Sequence, residues 1–158
     1  MWASGVKASA GDPVAVGFDS KFSVGNNVAI SVDDDVWTKM TWRLLNYDIL
    51  DEFDMDVNER FTAQSDGYYH FDASAGLTNL NAGEIFKIRL TVNGAFSQEL
   101  AGDGQQNAAD TGTYTVTNTS GDVYLEAGDY VEVEVYQTLS PAEMIGQANT
   151  VFSGHRFA

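Results

Sequence analysis

The stretch RFTAQSDGYYHFDASAG, Arg60 to Gly76, decides the fold class. Its second half alternates: Tyr69, Phe71, Ala73 and Ala75 fall on one side, and Tyr68, His70, Asp72 and Ser74 on the other. Successive side chains of an extended chain point to opposite faces, so a period of two marks a strand with one face against a core. Gly67, just before the paired tyrosines, reads as a turn that launches the strand. If the Tyr69 face is core, the Tyr68 face shows solvent an aromatic ring that a single copy has little use for.

The same period recurs downstream. FKIRLTV at 86–92 sets Phe86, Ile88, Leu90 and Val92 against Lys87, Arg89 and Thr91. Asn93-Gly94 follows, the pair best suited to a two-residue hairpin because both positions take positive φ. YVEVEVY at 130–136 sets Val131, Val133 and Val135 against Glu132 and Glu134, leaving Tyr130 and Tyr136 on the glutamate face. YTVTNT at 114–119 is rich in β-branched residues, and Gly121-Asp122 and Gly128-Asp129 punctuate either side of VYLEA. Helical periodicity is almost absent. SPAE at 140–143 carries the cap, proline and glutamate of a single helical turn, with no amphipathic stretch behind it. GDGQQNAADTG at 102–112 is polar and glycine-rich and reads as an exposed loop, where Asp103, Gln105, Asn107 and Asp110 form a candidate contact surface. Short strands at turn-marked intervals define an all-β antiparallel sandwich.

At 158 residues the chain fits one domain and needs no disulfide or metal to complete its core. It has no cysteine, which excludes disulfides, thiolate zinc sites and cysteine nucleophiles. With 23 acidic against 8 basic residues the net charge is −15, a surface that repels nucleic-acid phosphates and anionic lipid. No nucleic-acid partner is expected. No apolar run approaches the roughly 20 residues that cross a bilayer, so membrane insertion is not expected either. The first residues, MWASGVKASAGDP, lack the apolar stretch of a signal peptide.

Catalytic signatures are missing, and no enzyme is expected. The two histidines, His70 and His155, have no serine-centred nucleophile elbow to serve, and no glycine-rich phosphate loop or paired-histidine zinc motif occurs. Asp54-x-Asp56-x-Asn58 matches the first three ligand positions of a calcium loop, but Glu59 replaces its glycine and Ser65 its closing glutamate. Asp33, Asp34 and Asp35, and Asp51 with Asp54, remain as calcium candidates beside the plainer reading of a solvated acidic surface. No other cofactor is expected.

The spacing of Trp42, Asp48, Phe53, Phe61, Gly67, Tyr69 and Phe71 resembles the signature of the globular head of complement component 1q, within the tumour-necrosis-factor-like jelly-roll superfamily. VYLEAGDYVEVEV at 123–135 resembles that family's late strand pair joined at Gly-Asp, and FSGHRFA at 152–158 resembles its closing strand. Trp42 stands for the family's first phenylalanine and Ala73 for an aromatic, a pattern closer to bacterial or bacteriophage relatives. The resemblance implies a jelly-roll β-sandwich of about ten strands over residues 18–158, assembled as a homotrimer, with residues 1–17 as an N-terminal arm. On that footing Tyr68, His70, Tyr130 and Tyr136 are the expected trimer contacts, and Trp2 is the apolar contact of an anchoring arm. The expected role is a non-enzymatic homotrimeric module on the outside of a virus particle, a bacteriophage capsid decoration protein or fibre head partnered by capsid or tail proteins. The alternative is a secreted or cell-surface adhesion module that takes a host glycan or protein with calcium. The expected location is the virion surface or the extracellular space.

Overall fold

The structure, a computed structural model, describes residues 20–96, 100, 104–108, 113–138, 144–145 and 149–158. Among these residues there is no helix. Fourteen strand segments form two antiparallel sheets: β1 (Lys21–Gly25), β2 (Ile30–Ser31), β3 (Thr38–Lys39), β4 (Leu44–Asp48), β5 (Phe53–Asp54), β6 (Arg60–Thr62), β7 (Gly67–Leu80), β8 (Ile85–Val92), β9 (Ala95–Phe96), β10 (Gly104–Asn107), β11 (Thr113–Leu125), β12 (Tyr130–Gln137), β13 (Met144–Ile145) and β14 (Val151–Arg156). The first sheet runs β11-β7-β14-β1-β4, with β13 and β2 beside the far half of β7. The second runs β10-β8-β12-β6-β5, with β3 on β12 and β9 on β8. This is the antiparallel sandwich that the alternating pattern predicts, in the jelly-roll form that the resemblance implies.

The strands that alternate in sequence bury what they were expected to bury. Tyr69, Phe71, Ala73 and Ala75 of β7 face Phe86, Ile88 and Leu90 of β8 and Val131, Val133 and Val135 of β12 across one continuous core. Phe22 of β1 holds the two layers together. Its ring stacks on Phe53 at 5.2 Å and Phe61 at 5.0 Å from the second sheet, and meets Phe152 edge-on at 4.9 Å within its own. Such ring pairs contribute beyond the area they bury. The hairpin at Asn93-Gly94 forms as predicted, with φ of 52° and 75° and Val92 paired with Ala95.

Three local expectations are corrected. Gly67 does not make a turn: it is the first residue of β7, paired with Leu125. A Cβ there would collide with the Arg156 guanidinium and the Ala158 carbonyl, so the glycine lets the closing segment cross the start of β7. Tyr68 N–H donates to Ala158 O at 2.8 Å in that crossing. Gly121-Asp122 does not break the chain either, because β11 pairs with β7 without interruption from Thr115 to Leu125, and a long ladder overrides a local turn preference. Residues 104–107, expected in a loop, are a strand on the edge of the second sheet, in register with Ile85–Ile88. Gly104 lies against the Asn118 backbone where no side chain would fit, and the exposed glutamines after it hide the strand from a hydrophobicity reading. The helical turn at 140–143 lies outside the described residues, as do Trp2, Asp103 and Asp110. Among the described residues no helix is long and apolar enough to cross a membrane.

Gly154 tests the packing. A Cβ on it would come within 3 Å of the Phe71 and Phe22 rings, and core rings have no room to retreat. Gly154→Ala is expected to cost about 1–3 kcal/mol as overpacking, and Phe22→Ala about 3–5 kcal/mol as a cavity. Urea denaturation of each variant checks this, and an unchanged midpoint for Phe22→Ala would contradict the account of the core.

Candidate functional site on the outer face of the first sheet

Packing the sandwich uses one face of each sheet, and the two outer faces that remain differ sharply. On the first sheet, Tyr68 of β7 pairs with Tyr124 of β11, their rings edge-to-face at 5.2 Å, and the Phe157 ring lies 6.2 Å from Tyr68. All three are exposed by 43% to 49%. Tyr114 and Val151 are exposed toward the other end of the face, and Leu44 and Tyr47, paired with Gly25 and Ser23, extend it to the β4 edge. Between these apolar ends, Ser74, Asn118 and Ser153 line a shallow hollow of about 140 Å³. Large rings around a floor of small residues make a surface that another protein face can key into.

His70 sits in the middle of this face. Its Nδ1 lies 2.6 Å from Asp122 Oδ1 and its Nε2 lies 3.1 Å from Asp72 Oδ2. The His155 ring is 5.5 Å away on β14. With a carboxylate on each nitrogen, the imidazolium donates twice and the neutral ring only once. The Asp122 hydrogen bond, helped by the Asp72 charge and opposed by partial burial, raises the His70 pKa above its ordinary value.

On the outer face of the second sheet most rings are engaged within the chain, and Phe96, 43% exposed with Arg89 5.7 Å from its centroid, is the exception. Arg89 lies over Trp37, 4.0 Å from the ring centroid, and pairs with Glu134. Trp37 packs against Tyr136, whose hydroxyl donates to Asp35 at 2.9 Å. Arg60 covers Tyr130 at 3.8 Å and Lys39 pairs with Glu132 at 2.6 Å. Cations stacked on rings and paired with carboxylates satisfy most of this surface internally. The four expected trimer contacts therefore divide: Tyr68 and His70 share the first sheet's open face, while Tyr130 and Tyr136 lie on the opposite side with their rings engaged. Tyr124 and Phe157 complete the open face and were not singled out from sequence. Alternation between Val123 and Leu125 already turns Tyr124 outward, but its pairing with Tyr68 depends on a register that one strand alone does not reveal.

Among the acidic candidates, Asp54 is bonded to the backbone of its own turn. Asp54 Oδ1 accepts from the Asp56 and Val57 amides and Oδ2 from Asn58, which lowers its pKa to about 2. Both of its oxygens thus organise the turn of 54–58. Asp51 and Asp35 hold left-handed turn positions, with φ of 58° and 55°, and Asp34 bridges to Gln137. Asp33 is exposed beside them. Among the described residues no three acidic or histidine side chains converge as a ligand set for a metal. Gln105 and Asn107, expected in a contact loop, belong to β10.

The fold defined by these sheets is that of the complement-1q and tumour-necrosis-factor-like jelly rolls. The globular domain of zebrafish complement 1qA superposes with a TM-score of 0.68 at 18% identity, covering 89% of this chain and 98% of that one. The Eiger TNF of S. frugiperda gives 0.61 at 12% identity over 88% of this chain and 92% of its own, and murine APRIL at pH 5.0 gives 0.64 at 10% over 87% and 98%. At such identities the likeness is one of fold. No family model and no curated protein sequence matches the chain.

The His70 bridge has a definite pH signature. A histidine whose folded pKa is raised contributes its full stabilisation below the unfolded value of about 6.5, and that contribution is lost as pH rises through the folded value. The destabilisation caused by Asp122→Asn should accordingly be larger at pH 5.5 than at pH 8.5 by denaturant titration, with both pH values chosen around the ordinary histidine range of about 6.5. A difference independent of pH would show that the bridge is not formed.

Proposed function

We propose that the chain is a non-enzymatic homotrimeric binding module displayed on the outside of a virus particle, as a bacteriophage capsid decoration protein or fibre head. The observation that carries this reading is the unequal distribution of exposed rings. Tyr68, Tyr124, Phe157, Tyr114 and Tyr47 collect on one outer face, while among the described residues of the other only the Phe96 ring is comparably exposed and Tyr130 and Trp37 lie under arginines. A monomer that exposes such a patch loses hydrophobic stabilisation that a neighbouring copy supplies. A closed ring of copies satisfies the patch without leaving one open. Three copies carry three times −15, or −45, a charge that favours solubility and an outward-facing position. The fold likeness to ligand-type jelly rolls and the absence of catalytic motifs support a role in contact rather than chemistry. Residues 1–17, with Trp2, supply the attachment to the particle.

Sedimentation tests the assembly. The wild-type chain is expected as a trimer at micromolar concentration, and Tyr68→Asp combined with Tyr124→Asp as a monomer with an unchanged β-type far-ultraviolet spectrum. A monomeric wild type at every concentration would end the trimer reading. Attachment is tested separately: deleting residues 1–12 should abolish binding to particles while the trimer persists, and undiminished binding would refute the anchoring role.

A further inference from the structure

At one side of the sandwich both sheets come to an end. Among the described residues β4 is the end strand of the first sheet and β5 of the second. Leu45 of β4 pairs with Val24, so their side chains share the inward face of the sheet. Val24 is fully buried, yet Leu45 is 48% exposed, because no strand among the described residues lies beyond β4 to cover it. Edge strands are usually blunted by lysine, proline or a cover, because their free N–H and C=O groups recruit another strand. β4 carries neither lysine nor proline.

Beside Leu45 opens a groove of about 570 Å³ with two kinds of wall. Leu45, Phe53 and Met55 form the apolar one. Asp51, Glu52, Asp54 and Asp56 form the other, and no lysine or arginine lines the groove. Asp54 is spent on the amides of its own turn. Asp51 and Asp56 are exposed, and neither enters an ion pair among the described residues. Glu52 is only 4% exposed. Its Oε1 accepts a long bond of 3.3 Å from the Gln64 amide, and its Oε2 has no hydrogen-bond partner among the described residues. Burial pushes this carboxyl above its usual range. A buried acid left short of partners in an acidic wall calls for a cation. Among the described residues the carboxylates do not converge as a ligand set for a metal. A cation carried on an apolar stem, as in lysine or arginine, matches both walls.

We propose that the groove between β4 and β5 is a docking site for an extended, basic segment of a partner protein. The segment adds to the free edge of β4, and its groove-facing lysine or arginine lays its stem along Leu45, Phe53 and Met55 and sets its charge among Asp51, Glu52 and Asp56. Backbone pairing supplies affinity in such strand addition, and the side-chain groove supplies selectivity. The opposite charges steer the encounter and reject acidic partners. The site is separate from the Tyr68–Tyr124 rings and does not depend on how copies of the chain assemble.

The probe is a fluorescein-labelled, capped peptide that alternates lysine and valine, titrated into the full-length chain at physiological salt and followed by anisotropy. Saturable binding is expected, and the same peptide with glutamate for lysine should not bind. A net charge of −15 attracts any cationic peptide, so paired neutralisations locate the contact. Asp51→Asn with Asp56→Asn should weaken binding about tenfold. Asp33→Asn with Asp34→Asn, outside the groove, should change it little. Asparagine takes the left-handed backbone of Asp51 as readily as aspartate does, so the first pair should keep the wild-type denaturation midpoint. Amide exchange reads the edge itself: the β4 amides that point away from β1 should exchange fast in the free chain and slowly with the peptide bound. No saturable binding, or equal weakening by the two asparagine pairs, would overturn the proposal. So would edge amides that the peptide leaves unchanged, or that are already protected in the free chain because the chain covers its own edge.

Discussion

Phe22 stands where the two sheets meet, and most of the molecule follows from the contacts of that one ring. It reaches Phe53 and Phe61 of one layer and Phe71 and Phe152 of the other at centroid distances of 4.9 to 6.3 Å. To hold that position β1 must pair with β14, and β14 must pass over the rings at Gly154, where no side chain fits. The inner faces are then committed to each other. What the protein can do is left to the two outer faces, the edges and the segments beyond them.

Those outer faces were resolved in opposite ways by the same chemistry. On the second sheet a chain with only eight basic residues commits Lys39, Arg60 and Arg89 to pairing with carboxylates or lying on rings. On the first sheet no arginine or lysine among the described residues lies over the Tyr68–Tyr124 pair, and the centre of the face is a histidine held between aspartates. One surface leaves five rings exposed and the other leaves Phe96. The functional reading rests on that contrast, because aromatic rings gathered on one exposed face are a common mark of an interface.

How far this was legible in the sequence depended on range. Strands whose side chains alternate between apolar and charged, such as 86–92 and 130–136, declare both their type and their buried face, and the Asn93-Gly94 turn declares its neighbour. Gly67 was conspicuous for the wrong reason. Its need is a close approach by Arg156 and Ala158, some ninety residues along the chain, which no local pattern encodes. Residues 104–107 form a strand with polar side chains because β8 offers them a backbone edge, so pairing and not hydrophobicity decides their state. The candidate site was half visible: alternation turned Tyr68 and His70 outward, but Tyr124, Asp122 and Phe157 join them only through the register of β11 and β14. Tyr130 and Tyr136 show the limit of counting outward aromatics, since Arg60 over the first and Lys87, 5.7 Å from the second, come from other strands.

The central claim is that the open face of the first sheet is covered by another copy of the chain. Hydroxyl-radical footprinting over a dilution series measures that cover ring by ring. The account predicts that Tyr68, Tyr124 and Phe157 are protected at high concentration and become reactive together on dilution, while Trp37 and Tyr136 change little. If the three rings react at the rate of free aromatics at every concentration, the face is solvent-exposed and the account is wrong.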